Sequence, residues 1–412
     1  MQDRERPESK PPGVDSGPAI PLAEFIALMA LMIGLTALSI DIMLPSLPQI
    51  GAAFLVLHPN DAQQIVTSYM LGLAVGQFVW GPLSDRVGRK WPLLLGLAGF
   101  AASAFACLIV SSFAMLLLAR FMQGFGGAAA RVISIAVVRD LFAGRQMARV
   151  MSTVMMVFIT VPVFAPAVGQ TLAHIGSWRW AFYVLLGAGL ICFVWAGLRL
   201  PETTQPGLSQ PRSLGGAVLA VITNRVTFGY SVASGFMFGT LVSYITSAQQ
   251  VFVDVYDLGA AFPIAFGALA CSLALASFTN ARLVQRLGMR RVSHTALVGF
   301  VAAAILMSLA AFLGRPPLLV FGLLMAVCFF CFGLIAPNFN AISMQPMGHI
   351  AGMAASFIGF FTSAVGAVLG WGVGRLFDGS VRPLSAGFAV LGILALVSVL
   401  AVEGRRGLFR GE

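Results

Sequence analysis

Residues 81–90 read GPLSDRVGRK, and residues 281–290 read ARLVQRLGMR. Aligned without a gap at an offset of 200, the two decamers share Arg86 with Arg286, Gly88 with Gly288 and the basic pair Lys90 and Arg290. Gln285 stands where the first copy has Asp85. Each decamer follows the second of a series of apolar runs, so the chain reads as two copies of one unit in parallel order.

The material around the decamers is too apolar for water. Of 412 residues, 58% are hydrophobic and 10% charged, against roughly 25% charged in soluble domains. A helical bilayer crossing needs about 20 apolar residues. Twelve such runs lie near 22–46, 63–83, 91–111, 113–138, 149–172, 180–200, 226–250, 259–281, 292–313, 317–341, 351–374 and 383–402. They are too long for barrel strands. The expected fold class is therefore all-α integral membrane, with twelve transmembrane helices in two six-helix halves, 21–200 and 223–403. A polar cytoplasmic linker, 201–222, joins them. Residues 1–20 are polar, Pro-rich and mixed in charge, unlike a signal peptide. They read as a disordered cytoplasmic tail, with a second cytoplasmic tail at 404–412.

The net charge of +10 by itself would admit nucleic acid, but the position of the basic residues decides otherwise. Arg179, Arg315, Arg375 and Arg382 fall on outer connections, Arg120 and Arg131 fall within a span, and the other 19 of 25 lie on one side. This positive-inside bias predicts two cytoplasmic termini. The partners expected are the lipid bilayer and a small-molecule substrate, with no nucleic acid, and the chain is expected to be a monomer. Cys107, Cys192, Cys271, Cys328 and Cys331 all sit in spans, and no His or carboxylate joins them into a metal site. No phosphate-binding loop is present to use ATP. No cofactor is expected, and a proton gradient is the expected driving force.

GPLSDRVGRK resembles the loop between helices 2 and 3 of the major facilitator superfamily, matching at Gly81, Asp85, Arg86, Gly88, Arg89 and Lys90. The resemblance implies a conformational latch. Asp85 would sit beside several arginines and, as in the family, near the positive end of a neighbouring helix. LLLARFMQGFGGAA, around Arg120, resembles the family's fourth helix, where an arginine precedes a Gly-rich stretch. A charge at the bilayer centre costs about 2.5–3.5 kcal/mol on insertion scales, so Arg120 needs a carboxylate or water. Arg131, eleven residues on, shares nearly the same helical face. It either faces the substrate cavity or snorkels toward the cytoplasmic surface.

Asp41, in SIDIMLPSLP, is the deepest acidic residue. Counted from Leu22 it lies about 28 Å along the first helix, and Arg120 lies about 10 Å in from the same outer surface. Side chains lean toward a helix N-terminus, which carries the guanidinium toward Asp41. Burial disfavours a carboxylate's charge and a neighbouring cation favours it, so a change of conformation alters the balance. The pair is expected to couple protons, with Asp41 loading outside and releasing inside and Arg120 tuning it. The alternative is a helix-end interface role for Asp41 beside Pro45. Glu24, near the cytoplasmic entrance, is a weaker candidate.

VPVFAPAVGQTL at 161–172 resembles the motif of helix 5 in exporters, through Pro162, Pro166 and Gly169. Ala165 and Gln170 depart from it, and a kinked helix without directional meaning is the alternative. DIMLPSLP, VVRDLF at 137–142, WRWAF at 178–182, LPET at 200–203 and SYITSAQQVF at 243–252 resemble one branch, the bicyclomycin and chloramphenicol resistance (Bcr/CflA) type of drug:proton antiporter. In the second half Tyr244, Gln249, Phe329, Asn338 and Phe357 are candidate cavity residues, apolar with a few hydrogen-bonding points. Lipid-facing packing is the alternative for each Phe.

The expected function is proton-coupled efflux of small, moderately hydrophobic drugs or metabolites across a bacterial inner membrane by alternating access. A proton-coupled importer of a nutrient or osmolyte is the rival within the fold, since fold does not fix function. A membrane enzyme or receptor is the rival outside it. The spans offer an enzyme no acid–base pair or nucleophile, and the loops leave a receptor no signalling domain.

Overall fold

A computed structural model describes residues 20–203 and 214–404. The expected tails at 1–19 and 405–412 and the linker's middle, 204–213, lie outside the described residues. The helices are α1 (Leu22–Asp41), α2 (Leu47–Ala53), α3 (Gln64–Val87), α4 (Lys90–Ile109), α5 (Phe113–Leu141), α6 (Gly144–Ile175) and α7 (Arg179–Arg199). They continue with α8 (Leu214–Thr223), α9 (Arg225–Gln249), α10 (Phe262–Leu287), α11 (Met289–Leu313), α12 (Leu318–Met344), α13 (Ala351–Arg375) and α14 (Arg382–Glu403). Strands are absent among the described residues. Among the described residues eleven stretches are long and apolar enough to cross a membrane. The 24-residue α3 completes twelve, its hydropathy lowered by Gln64, Gln77, Asp85 and Arg86. The short helices α2 and α8 are additions to the expected set.

Local chemistry explains where the helices begin and stop. Ser112 accepts from the Met115 amide at 3.3 Å to start α5. Asn224 Oδ1 accepts from the amides of Val226 and Thr227 at 3.1 and 3.0 Å to start α9, the side-chain capping that short polar residues provide. Gly88 and Gly288 end α3 and α10 with φ of 96° and 80°, a backbone region that favours glycine. The two decamers thus share a helix stop.

The first span differs from expectation. α1 ends at Asp41, but the span runs past the expected 22–46, because the chain continues through a 3₁₀ turn, Leu44–Ser46, and then α2. The apolar helical path runs 32 residues, Leu22–Ala53, and Asp41 lies inside it. Pro45 and Pro48 break an α-helical pattern in sequence, but each occupies a first turn, where proline costs no hydrogen bond. The linker differs too, since α8 seats Ala217 and Val221 on Met347 and Ile350, just before α13, and on Ala354 and Ile358 in its first turns.

Close packing sets the rotation of the helices. At Gly76 a Cβ would stand 2.6 Å from both the Ala128 side chain and the Phe125 carbonyl, so α3 and α5 touch backbone to backbone, as small residues permit in membranes. The halves meet along two antiparallel seams. On one, α3 lies against α13, with Gln77 Nε2 donating to Ser363 Oγ at 3.1 Å and Asp85 packed on Gly352. On the other, Gln170 Nε2 of α6 donates to the Gly259 carbonyl before α10 at 3.3 Å. The outward perimeter is apolar, with Leu313, Leu319 and Phe278 exposed, a surface that only lipid would cover. Trp91, Trp180 and Tyr183 are exposed near helix ends, where aromatic rings meet headgroups.

Candidate functional site

Asp41 is buried, with 4% of its surface exposed. Among the described residues its side chain forms no hydrogen bond or ion pair. It lies where the end of α1 approaches α9 of the other half, within electrostatic reach of Tyr244. The Tyr244 hydroxyl is also buried without a hydrogen-bond partner among the described residues. Around it stand Phe329 in edge contact at 4.7 Å, Phe266 stacked at 5.3 Å and Phe252 in edge contact at 6.4 Å between ring centroids. The result is an unpartnered carboxylate and an unpartnered phenol beside an aromatic wall, at the junction of the halves.

Arg120 does not pair with Asp41, contrary to the expected contact. Fully buried, it donates from Nη2 to the Ser39 carbonyl at 2.9 Å, from Nη1 to Gln123 Oε1 at 2.6 Å and from Nε to the Ile65 carbonyl at 3.4 Å. Its guanidinium also stands 4.5 Å from the Tyr69 ring centroid. The depth expected from helical rise is right to within one turn, since Arg120 reaches α1 two residues before Asp41. Its fork is taken up by carbonyls, an amide and a ring face, which satisfy a buried guanidinium without a carboxylate. Glu24 is ion-paired with Arg199 at 2.7 Å and accepts from Trp195 Nε1 at 3.1 Å. Its role there is to tie α1 to α7.

The remaining cavity candidates scatter. Tyr244 and Phe329 meet. Gln249 is buried nearby at the end of α9. Asn338 instead donates to Asn280 Oδ1 and the Leu334 carbonyl, both at 2.7 Å. Nine residues separate it from Phe329, about 14 Å along the helix, too far for one pocket wall. Phe357 packs with Phe78 at 6.3 Å in the α3–α13 seam. Arg131 is half-buried, within electrostatic reach of Tyr69, and forms no hydrogen bond or ion pair among the described residues. Phe252 and Phe266 were not among the sequence candidates, and nothing in the spacing of lone phenylalanines marks them.

In α6, Pro162 and Pro166 lie inside one continuous helix, and Gly169 presses on the carbonyl of Ile42 with no space for a Cβ. The stretch 161–172 therefore packs directly on the backbone that carries Asp41.

At the face where α1 starts and α14 ends, Arg89 is the hub of the decamer. It is 4% exposed and ion-paired with Asp85 at 2.5 Å and Asp140 at 2.8 Å, and it donates to Ser84 Oγ at 2.9 Å. Burial works against its charge, but the Asp140 and Asp85 carboxylates outweigh that and hold its pKa above the ordinary guanidinium value. Glu202, from LPET, accepts from the amides of Arg89 and Lys90 at 2.7 and 3.0 Å, capping α4 with a carboxylate where the helix dipole favours one. Gly81 packs on Ser356 without room for a Cβ, and Gly88 abuts Glu202. Arg86 is exposed. Asp140 and Glu202 complete the cluster from segments 50 and more residues away. Their acidic character inside VVRDLF and LPET was the available signal.

Two pseudo-repeated helical halves, meeting at a buried interface with a lone carboxylate, define a membrane transporter. The sequence profile of the Major Facilitator Superfamily matches residues 29–371, and the chain belongs to that family. It is 31% identical over 385 residues to a bicyclomycin resistance protein homolog of Haemophilus influenzae, covering 92% of this chain and 94% of the relative. A chloramphenicol resistance protein of Pseudomonas aeruginosa is 26% identical, with 94% and 93% covered. These relatives place the chain with the Bcr/CflA type. Among solved structures, the xylose transporter XylE of E. coli superposes with a TM-score of 0.71 at 13% identity, over 91% of this chain and 96% of XylE. The protein is a multi-pass transporter and not an enzyme.

Proposed function

We propose that this transporter exports small, moderately hydrophobic compounds across the bacterial inner membrane in exchange for protons, by alternating access. Asp41 is the proton carrier in this reading. The observation that carries it is the isolation of Asp41, a buried carboxylate with no partner among the described residues, at the junction of the halves beside Tyr244. A buried charge of that kind is costly unless neutralised, so a proton or a substrate group is the natural counterpart. Arg120 acts on Asp41 indirectly by holding the Ser39 carbonyl, and so fixes the last turn of α1. The aromatic wall of Tyr244, Phe266 and Phe329 suits an apolar substrate with one or two polar points. Export is favoured over import by the helix-5 stretch and by what the resistance-named relatives are called. The decamer cluster lies on the cytoplasmic side in this orientation, where Asp85 meets the start of α13 and latches the inner face shut.

The test is proton-driven uptake of chloramphenicol into everted vesicles, whose lumen corresponds to the outside of the cell, with wild type compared with Asp41→Asn. Substrate-induced proton release in wild type and its loss in the variant support antiport through Asp41. Coupled transport by a folded variant moves the proton site elsewhere.

A further inference from the structure

The two faces of the protein are closed by different chemistry. On the face where α1 starts and α14 ends, an ionic cluster within the first half, Asp85, Arg89 and Asp140, abuts the other half where Asp85 packs on Gly352. On the opposite face every side-chain hydrogen bond between the halves, among the described residues, involves an amide. Gln63 Nε2, just before α3, donates to Gln250 Oε1 at 2.5 Å, and Gln250 Nε2 donates to Asn60 Oδ1 at 2.8 Å. Asn60 Nδ2 in turn donates to the carbonyls of Arg375 and Phe377 at 3.1 and 2.9 Å. The second seam carries the Gln170 contact to the Gly259 carbonyl. Both edges of the interface are therefore tied by neutral groups.

Charged residues stand near these amides but do not join them. Asp61 accepts from Gln64 Nε2 at 3.1 Å. The Arg375 guanidinium lies 5.4 Å from the Trp371 ring centroid, and Asp254 and Asp257 are exposed.

We propose that Asn60, Gln63 and Gln250 on one seam, with Gln170 on the other, form the outer gate of this transporter, a neutral amide lock that must break before the path opens outward. The inference rests on the alternating-access reading above. Three features fit a lock built to open. Gln250 begins a π-helical segment, Gln250–Val255, and such segments are local irregularities frequent at functional sites. Gln63 Oε1 is buried without a donor among the described residues, so the network is one bond short of complete and less costly to disrupt than a satisfied one. Gly374 leaves space for the lock, since a Cβ there would strike Gln63 Oε1 and stand 2.8 Å from Thr246 Oγ1. Uncharged groups also leave the lock indifferent to outside pH and ionic strength, so that protonation acts only beneath it.

Spin labels at Leu57→Cys and Leu313→Cys, both 91% exposed at the outer ends of opposite halves, report the gate in a Cys271→Ser background. Distances are measured on the purified full chain in nanodiscs. Asp41→Asn is included so that the proposed proton site does not titrate. We expect one short distance that is unchanged between pH 5 and 8 and with added salt. Gln250→Ala and Gly374→Ala should each add a longer-distance population, raising the outward-open fraction by about tenfold or more. Gln250→Glu supplies a readout that a merely structural role would not move. It loses the donor to Asn60 when ionised and regains one when protonated, so the longer distance should grow as pH rises. Variants that keep the wild-type distribution while remaining folded by size exclusion and thermal melting would falsify the gate. Because distance is read directly, that failure is distinct from a loss of transport, which bears on the export reading.

Discussion

Gly169 of α6 lies against the carbonyl of Ile42, the residue after Asp41, so closely that no side-chain carbon fits between them. The contact makes the helix-5 stretch a mechanical support for the proposed proton site. Gly169→Ala should force α1 and α6 apart, at a cost of about 1–3 kcal/mol for overpacking. Transport should fall more than stability, as checked by efflux rate against the melting temperature of the purified protein.

Arg120 and the Ser39 carbonyl form the other support. Arg120→Ala leaves that carbonyl and Gln123 Oε1 buried without their donor, about 1–3 kcal/mol for each unsatisfied group. Arg120→Lys keeps the charge but not the fork. We expect the alanine variant to melt at a clearly lower temperature and the lysine variant to fall between. A lysine variant equal to wild type in proton-coupled efflux would show that charge alone matters.

Tyr244 tests the wall. Its hydroxyl has no partner among the described residues, so Tyr244→Phe should leave the melting temperature unchanged or raise it. If the hydroxyl serves substrate, binding of a hydrogen-bonding compound such as chloramphenicol weakens by about 0.5–1.5 kcal/mol, while a purely apolar dye binds as before. Titration calorimetry with both compounds separates the two.

Arg89 holds two carboxylates from α3 and α5. Asp85→Asn and Asp140→Asn, singly and together, should be non-additive, with a coupling of about 0.5–3 kcal/mol in a double-mutant cycle of unfolding. Additive losses would mean that the two acids bind Arg89 independently.

Much of the fold is legible residue by residue. Apolar length marks the spans, and the Gly88 and Gly288 positions mark equivalent helix stops. The candidate site is legible in part. Helical rise puts Arg120 near the right depth on α1, but rotation about the helix axis decides that it meets Ser39 and not Asp41. Asn338 and Phe357 look like companions of Tyr244 in composition, yet one is tied to Asn280 and the other to Phe78.

By itself, then, the sequence determined a helical membrane transporter of two related halves, because bilayer thickness and backbone satisfaction leave an apolar chain of this kind few alternatives. Only the tertiary structure decided which groups meet. Gln63 and Gln250 lie 187 residues apart in the chain, and Asp41 and Tyr244 belong to different halves. Their approach depends on how closely small residues such as Gly76, Gly169 and Gly374 let helices pack, and no local period of a single helix encodes that mutual rotation.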